Sequence, residues 1–166
     1  MLNKFKKDVG IFGGSFDPPH QGHVKICKIS LKKLKLEKLY SGTIWAEGPV
    51  WIESERVILW SDVKSNKMLS YNVDTSEVKD YRNPSDFNNG NCTDHEGRII
   101  RCQHGLRRVI REEKNGLLTI IADNYNDKKL NSPNDVAVSK LGNVWFTDPP
   151  YGILTNQEGH KSISEQ

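Results

Sequence analysis

The sequence predicts a mainly β chain with a short βα unit in front of it, and three observations carry that prediction. A pattern recurs along residues 41–166 at offsets of 42 and then 45 residues, composition changes abruptly near Tyr40, and the first forty residues hold one strand-like run, a Gly-Gly turn and one helical run. A repeat of 40 to 50 residues made of about four short antiparallel strands is the signature of a β-propeller blade. The chain supplies about two and a half such repeats, whereas a propeller closes with about four to eight blades. The expected fold is therefore an incomplete β-propeller preceded by a βα segment.

Residues 1–40 hold nine Lys, no Arg and three acidic residues (Asp8, Asp17, Glu37), whereas residues 41–166 hold fifteen basic and eighteen acidic residues. All seven Arg and all four Trp also fall after residue 40, which places a seam near Tyr40. The apolar runs are short, as in Val57 to Trp60, and the N-terminus lacks the apolar core of a signal peptide. The expectation is a cytoplasmic chain with neither a membrane nor a nucleic acid as partner. Lys25 to Lys38 carries no interleaved aromatics and is expected to be the wet face of a helix. Cys27, Cys92 and Cys102 form no C-x-x-C pair, which argues against a disulfide framework or a thiolate zinc site.

Within the first segment, Asp8 to Phe12 is strand-like and Val24, Cys27, Leu31 and Leu34 recur at helical spacing, with Gly13-Gly14-Ser15-Phe16-Asp17-Pro18-Pro19-His20-Gln21-Gly22-His23 between them. Adjacent glycines let backbone N–H groups approach an anion, and the helix N-terminus adds partial positive charge. His20 and His23, three apart at the helix entrance, can both reach that anion and stabilise charge on a transferring phosphoryl group, with a metal pair as their rival role. This motif resembles the opening of nicotinate-mononucleotide adenylyltransferases of the H-x-G-H nucleotidyltransferase superfamily, whose fold is Rossmann-like. The resemblance implies ATP-phosphate binding by Gly13, Gly14, His20 and His23. It covers residues 8 to about 40, and the late S-x-T-x-x-R-type motif of that family does not occur in this sequence.

The repeat appears when residues 46–62, 88–104 and 133–148 are laid over one another. Each is a strand, a polar turn (Glu53-Ser54-Glu55, His95-Glu96-Gly97, Lys140-Leu141-Gly142) and an apolar strand, and further strand-like runs follow at Lys67 to Asn72 and Leu117 to Ala122. Glu47, Asn89 and Asn134 are equivalent positions, and they precede Asp62, His104 and Asp148 by 15, 15 and 14 residues. First strands of successive blades line a propeller's channel, so these carboxylate and amide oxygens can converge on one hard cation such as Ca²⁺. The competing role for such residues is capping turns and bonding neighbouring backbone.

W-A-E-G-P-V-W (45–51), C-Q-H-G-L-R-R-V (102–109), L-N-S-P-N-D-V (130–136) and W-F-T-D-P-P-Y-G-I (145–153) resemble, in order, the gluconolactonase branch of the SMP-30/gluconolactonase/luciferin-regenerating family. The resemblance runs from about Glu37 to Ile153. It implies an incomplete six-bladed β-propeller over residues 41–153, a divalent cation at the channel mouth (Ca²⁺ first, Zn²⁺ or Mg²⁺ as alternatives) and hydrolysis of sugar lactones. Carried over by position, Glu47 and Asn134 match metal ligands, Asn89 matches a substrate- or metal-proximal Asn with Asn91 as a nearby alternative, and His104 and Asp148 fall where the channel wall would face substrate. A cation on the lactone carbonyl stabilises the tetrahedral oxyanion while a carboxylate takes the proton of the attacking water.

Residues 154–166 are polar and are expected to fray. An open partial ring exposes strand edges and apolar faces, so the chain is expected to be a fusion of two truncated coding segments, inactive alone or completed by another chain that carries the missing blades. The alternatives are an adenylyltransferase fragment binding ATP and a fusion product without function.

Overall fold

The computed structural model describes residues 25, 28, 29, 38–156 and 158. Lys25, Lys28 and Ile29 have helical backbone and are exposed; the expected Rossmann-like βα unit and its Gly13, Gly14, His20 and His23 otherwise lie outside the described residues. From Ala46 onward the described residues are almost entirely strand and turn, and the one helical element among them is the 3₁₀ turn Tyr151–Ile153. No helix among the described residues is long and apolar enough to cross a membrane.

The first sheet is a four-stranded antiparallel meander of β1 (Ala46–Ile52), β2 (Val57–Asp62), β3 (Lys67–Asn72) and β4 (Val78–Arg82). The second repeats it with β5 (Asn88–Thr93), β6 (Ile99–Gln103), β7 (Arg108–Glu112) and β8 (Leu118–Ala122). A small hairpin, β9 (Asn124–Tyr125) with β10 (Lys128–Lys129), leads to a two-stranded sheet of β11 (Val136–Val138) and β12 (Val144–Phe146). β5 packs against β1 and β2, and β11 against β5 and β6, so the leading strand of each unit lies beside the leading strand of the one before. These meanders are the units of the 42- and 45-residue repeat. Their tight turns need backbone with positive φ, found at Arg56 and Asn66 in the first sheet and at Gly97, Arg107 and Gly116 in the second.

Side chains alternate across a strand, and β2 shows why its run Val57 to Trp60 is apolar throughout. Leu59 joins Ile52, Met68 and Ile99 between the first two sheets, whereas Ile58 and Trp60 join Leu69, Tyr71 and Val73 on the opposite face. That second face is covered by residues before β1: the Tyr40 ring lies 5.7 Å from the Trp60 ring, and Trp60 Nε1 donates to Thr43 Oγ1 at 3.0 Å. Ile100, Cys102, Val109 and Val136 form a third cluster between the second sheet and β11–β12. Each fully buried Leu or Ile in these layers contributes roughly 1.5–3 kcal/mol.

Beside this apolar packing lies a buried ionic cluster. Arg101, 1% exposed, has Nη2 at 2.9 Å from Glu112 Oε2, and Glu112 also takes Arg82 Nη2 and the Tyr81 hydroxyl, the latter at 3.1 Å. Burial pushes the Tyr81 phenol up to about 12, and the neighbouring Glu112 carboxylate adds to the rise. Burial likewise lowers the Arg101 guanidinium from its usual value, with Glu112 opposing that shift. Removing one partner of a buried pair leaves an uncompensated charge. Glu112→Ala is therefore expected to lower unfolding free energy by about 3–5 kcal/mol, measured by denaturant titration of Trp fluorescence. A loss under about 1 kcal/mol, the range of an exposed pair, would mean that the cluster is hydrated.

Candidate functional site

The leading strands meet where their pairing is irregular. β1 departs from register between Glu47 and Val50, and β5 does so between Asn88 and Asn91. A glycine sits in each irregularity, and each is in contact with the next leading strand. A Cβ on Gly48, whose φ is +51°, would lie 2.4 Å from the Asn89 carbonyl oxygen. A Cβ on Gly90 would lie 2.5 Å from the Asn134 carbonyl oxygen, which accepts the Gly90 N–H at 2.8 Å. Only glycine permits backbones this close.

A buried amide network fills the space behind. Asn88 and Ser61 are both 0% exposed, and Asn88 Nδ2 donates to Ser61 Oγ and to Asn91 Oδ1, each at 2.8 Å. The Ser61 hydroxyl donates to the Asn89 carbonyl at 2.7 Å, and Asn91 Nδ2 donates to the Gly48 carbonyl at 2.7 Å. Both ends of the Asn91 amide are thus committed to protein, which makes Asn91 a strut between β1 and β5.

In front of the network is a cleft of about 310 Å³ lined by Glu47, Pro49, Asn89, Asn91, Asn134 and Asp135, with Gly48 and Gly90 between them. The structure thereby brings together four of the residues singled out from sequence: Glu47 from β1, Asn89 and Asn91 from β5, and Asn134 from the segment entering β11. Glu47 Oε1 accepts the Trp45 indole N–H at 3.1 Å. Its carboxyl is nevertheless raised above the usual carboxylate range, chiefly by burial, with the charge of Asp135 adding to the rise.

The other two are placed differently. His104 is 1% exposed and lies behind Asn89, its Nε2 3.3 Å from Asn89 Nδ2 and its Nδ1 bonded to Glu158. Asp148 stands outside the cleft lining: its Oδ2 accepts the Asn131 N–H at 2.8 Å, and its buried Oδ1 has no hydrogen-bond partner among the described residues. Glu158, in the stretch expected to fray, is 8% exposed.

Asp135, Asn88, Ser61 and Glu158 were not anticipated. For Asp135 the signal was present, because it occupies in the third repeat the place of Gly48 and Gly90 in the first two. Among the described residues no group of three or more His, Cys, Asp or Glu is arranged around a metal position. The donors at the cleft are instead one half-buried carboxylate and neutral amides, with a second, exposed carboxylate at its edge. Such hard oxygens suit Ca²⁺ or Mg²⁺, and the raised Glu47 carboxyl is what a cation there would relieve, so the residues fit a divalent ion.

Successive antiparallel meanders whose leading strands lie side by side, with an oxygen-lined cleft between those strands, define a β-propeller protein with a polar axial site. The profile of the SMP-30/Gluconolactonase/LRE-like region matches residues 45–163, and the chain belongs to that family. It is 34% identical over 137 residues to the gluconolactonase of Zymomonas mobilis, a match covering 74% of this chain and 38% of that protein. The solved gluconolactonase of Xanthomonas campestris superposes with a TM-score of 0.72 at 35% identity, covering 77% of this chain and 42% of that one. The chain thus spans less than half the length of these relatives. A separate match of 32 residues, 56% identical, joins it to a Rhizobium johnstonii protein named "Probable nicotinate-nucleotide adenylyltransferase", covering 19% of this chain and 16% of that protein.

The raised Glu47 carboxyl gives a testable pH dependence. A carboxyl whose pKa is higher folded than unfolded binds more protons in the native state, so stability is fully present below the unfolded value and falls as pH rises through the folded one. In chelator, Glu47→Gln is expected to raise the thermal midpoint at neutral pH and to flatten its decline between the acidic carboxylate range and neutrality. An unchanged slope in the variant would place Glu47 in ordinary solvent.

Proposed function

We propose that the chain carries the axial site of a sugar-lactone hydrolase, in which Glu47 and Asn134 hold a divalent cation, Ca²⁺ first, and Asn89 presents an oxygen to the bound lactone or cation. The observation that carries this reading is the convergence on one cleft of Glu47 and Asn89, from two successive leading strands, with Asn134, from the segment entering the third. In the same reading residues 41–153 are about two and a half blades of a six-bladed ring, the seam with the nucleotidyltransferase-like segment lies near Tyr40, and the setting is the cytoplasm, consistent with the free thiols of Cys92 and Cys102.

When bound, such a cation supplies Lewis acidity, drawing electron density from a carbonyl oxygen and stabilising the charge that develops there. The chain's own residues do the rest. Glu47 and Asp135 set the negative potential that attracts an ion, and Asn134 adds a neutral donor that binds without further charge. Water adds to the lactone carbonyl carbon, the ring C–O bond breaks, and the product is the open hydroxy acid. The proton lost by water has two carboxylates at hand, Glu47 and Asp135, and reaches the departing ring oxygen. His104 and Asp148 serve from behind: His104 through Asn89, and Asp148 by holding Asn131 and hence the approach to Asn134.

A ligand that binds only the folded state raises the unfolding midpoint. Millimolar Ca²⁺ is expected to raise the midpoint of the full chain, and Glu47→Gln to abolish that shift. Where hydrolysis of glucono-δ-lactone is measurable, the same variant is expected to lower kcat/KM by about 100-fold or more, the scale of losing a main oxyanion-stabilising element. A Ca²⁺ shift that survives in Glu47→Gln would remove the cleft as the cation site.

A further inference from the structure

The cleft's chemistry depends on which end of the Asn89 amide faces it, and the residues behind decide that. His104 leaves the end of β6 with its backbone pinned on both sides: its N–H donates to the Phe87 carbonyl at 3.1 Å, and its carbonyl accepts the Arg107 N–H at 3.2 Å. Its imidazole is buried between Asn89 on one side and Glu158 on the other. Glu158 is brought there past the 3₁₀ turn Tyr151–Ile153. A Cβ on Gly152 would stand 2.9 Å from Ser132 Cβ and 3.0 Å from both Glu158 Oε2 and His104 Cβ. The turn is tethered by the Gly152 N–H, which Ser132 Oγ accepts at 2.8 Å.

We infer that Glu158 and His104 are positioning residues that lock the Asn89 amide with its oxygen toward the cleft. A carboxylate is an acceptor only, so His104 must offer it an Nδ1–H. In the neutral ring Nε2 is then a lone pair. The only end of the Asn89 amide that can satisfy that lone pair is its NH₂, and Oδ1 is left for the cleft. For the neutral ring the order of donors follows from Glu158, without reference to how the amide is placed, whereas an imidazolium would donate from Nε2 and draw the Asn89 oxygen inward. Without Glu158 the ring is free to carry its proton on Nε2, and Asn89 would then turn its oxygen inward and present two N–H donors to the cleft. An amide nitrogen cannot coordinate a cation, and buried partners of this kind typically tune metal affinity by about 10–100-fold. His104 itself is screened by Asn89 and engaged at both nitrogens, which suits positioning rather than contact with substrate.

The tautomer arm stands without the lactonase reading; the affinity arm rests on it. Long-range ¹H–¹⁵N spectra of the full chain, with His104 assigned by its loss in His104→Gln, are expected to show a protonated Nδ1 and an unprotonated Nε2 at neutral pH. In Glu158→Gln, whose amide can donate to Nδ1, the protonated Nε2 form is expected to appear, and the dissociation constant for Ca²⁺ to rise about tenfold. His104→Gln, which can place a carbonyl oxygen where Nε2 was, is expected to keep Ca²⁺ affinity closer to the parent than His104→Ala does. A protonated Nε2 in the parent chain, or a tautomer unmoved by Glu158→Gln, would overturn the inference. The expected tautomer without any Ca²⁺ binding would overturn the cation reading of the cleft and leave the lock in place.

Discussion

Everything at the axial site depends on how closely neighbouring leading strands can approach, and that distance is set by two missing side chains. Gly48 and Gly90 let the backbone of the next strand stand where a Cβ would be. Adjacent strands within a sheet gain their proximity from ladder hydrogen bonds, but strands of different sheets have no ladder to share and normally stand about 10 Å apart. Here the approach is secured by single contacts: the Gly90 N–H on the Asn134 carbonyl, and Asn91 on the Gly48 carbonyl. The irregular pairing of β1 and β5 at the same residues frees the backbone groups that make these contacts.

Two kinds of polar burial hold the sheets together, and they differ in what they permit. At the axis, Asn88, Asn91 and Ser61 are neutral and donate to one another and to backbone, so the network adds no net charge beside the cleft. Farther out, Arg101 and Arg82 share the Glu112 carboxylate in a charged cluster between the sheets, none of whose members lines the cleft. The axial charge is therefore left to Glu47 and Asp135, whose mutual repulsion and burial keep the Glu47 carboxyl high.

The repeating architecture was legible in the sequence because each meander needs the same things in the same order: alternating apolar residues, a polar turn, and a small or amide residue at the strand crossing. Superposing the repeats was enough to find Glu47, Asn89 and Asn134, since periodicity in a propeller is also convergence on an axis. The network behind them was illegible for the same reason. The places of Ser61 and Asn88 are taken in the other repeats by Gln103 and Thr147 and by Ala46 and Pro133, so neither the hydroxyl nor the amide stands out as a period; Asp62, by contrast, has its counterpart, accepting the N–H groups of Ile44 and Trp45 as Asp148 accepts that of Asn131. Glu158 lies in a polar stretch without strand periodicity, and only its 54-residue reach to His104 reveals why it is buried. His104 looked like a channel-wall residue because position along the chain fixes depth in the blade, not which side chain stands in front.

Asp135, finally, breaks the series that Gly48 and Gly90 begin. With a third glycine the cleft would carry acid at one margin only, at Glu47. The carboxylate in its place puts acid at both margins with neutral amides between, and one margin more exposed than the other. A bound molecule then meets an ordered series of charges as well as the outline of the cavity, and the second charge enters the site through one residue that does not repeat.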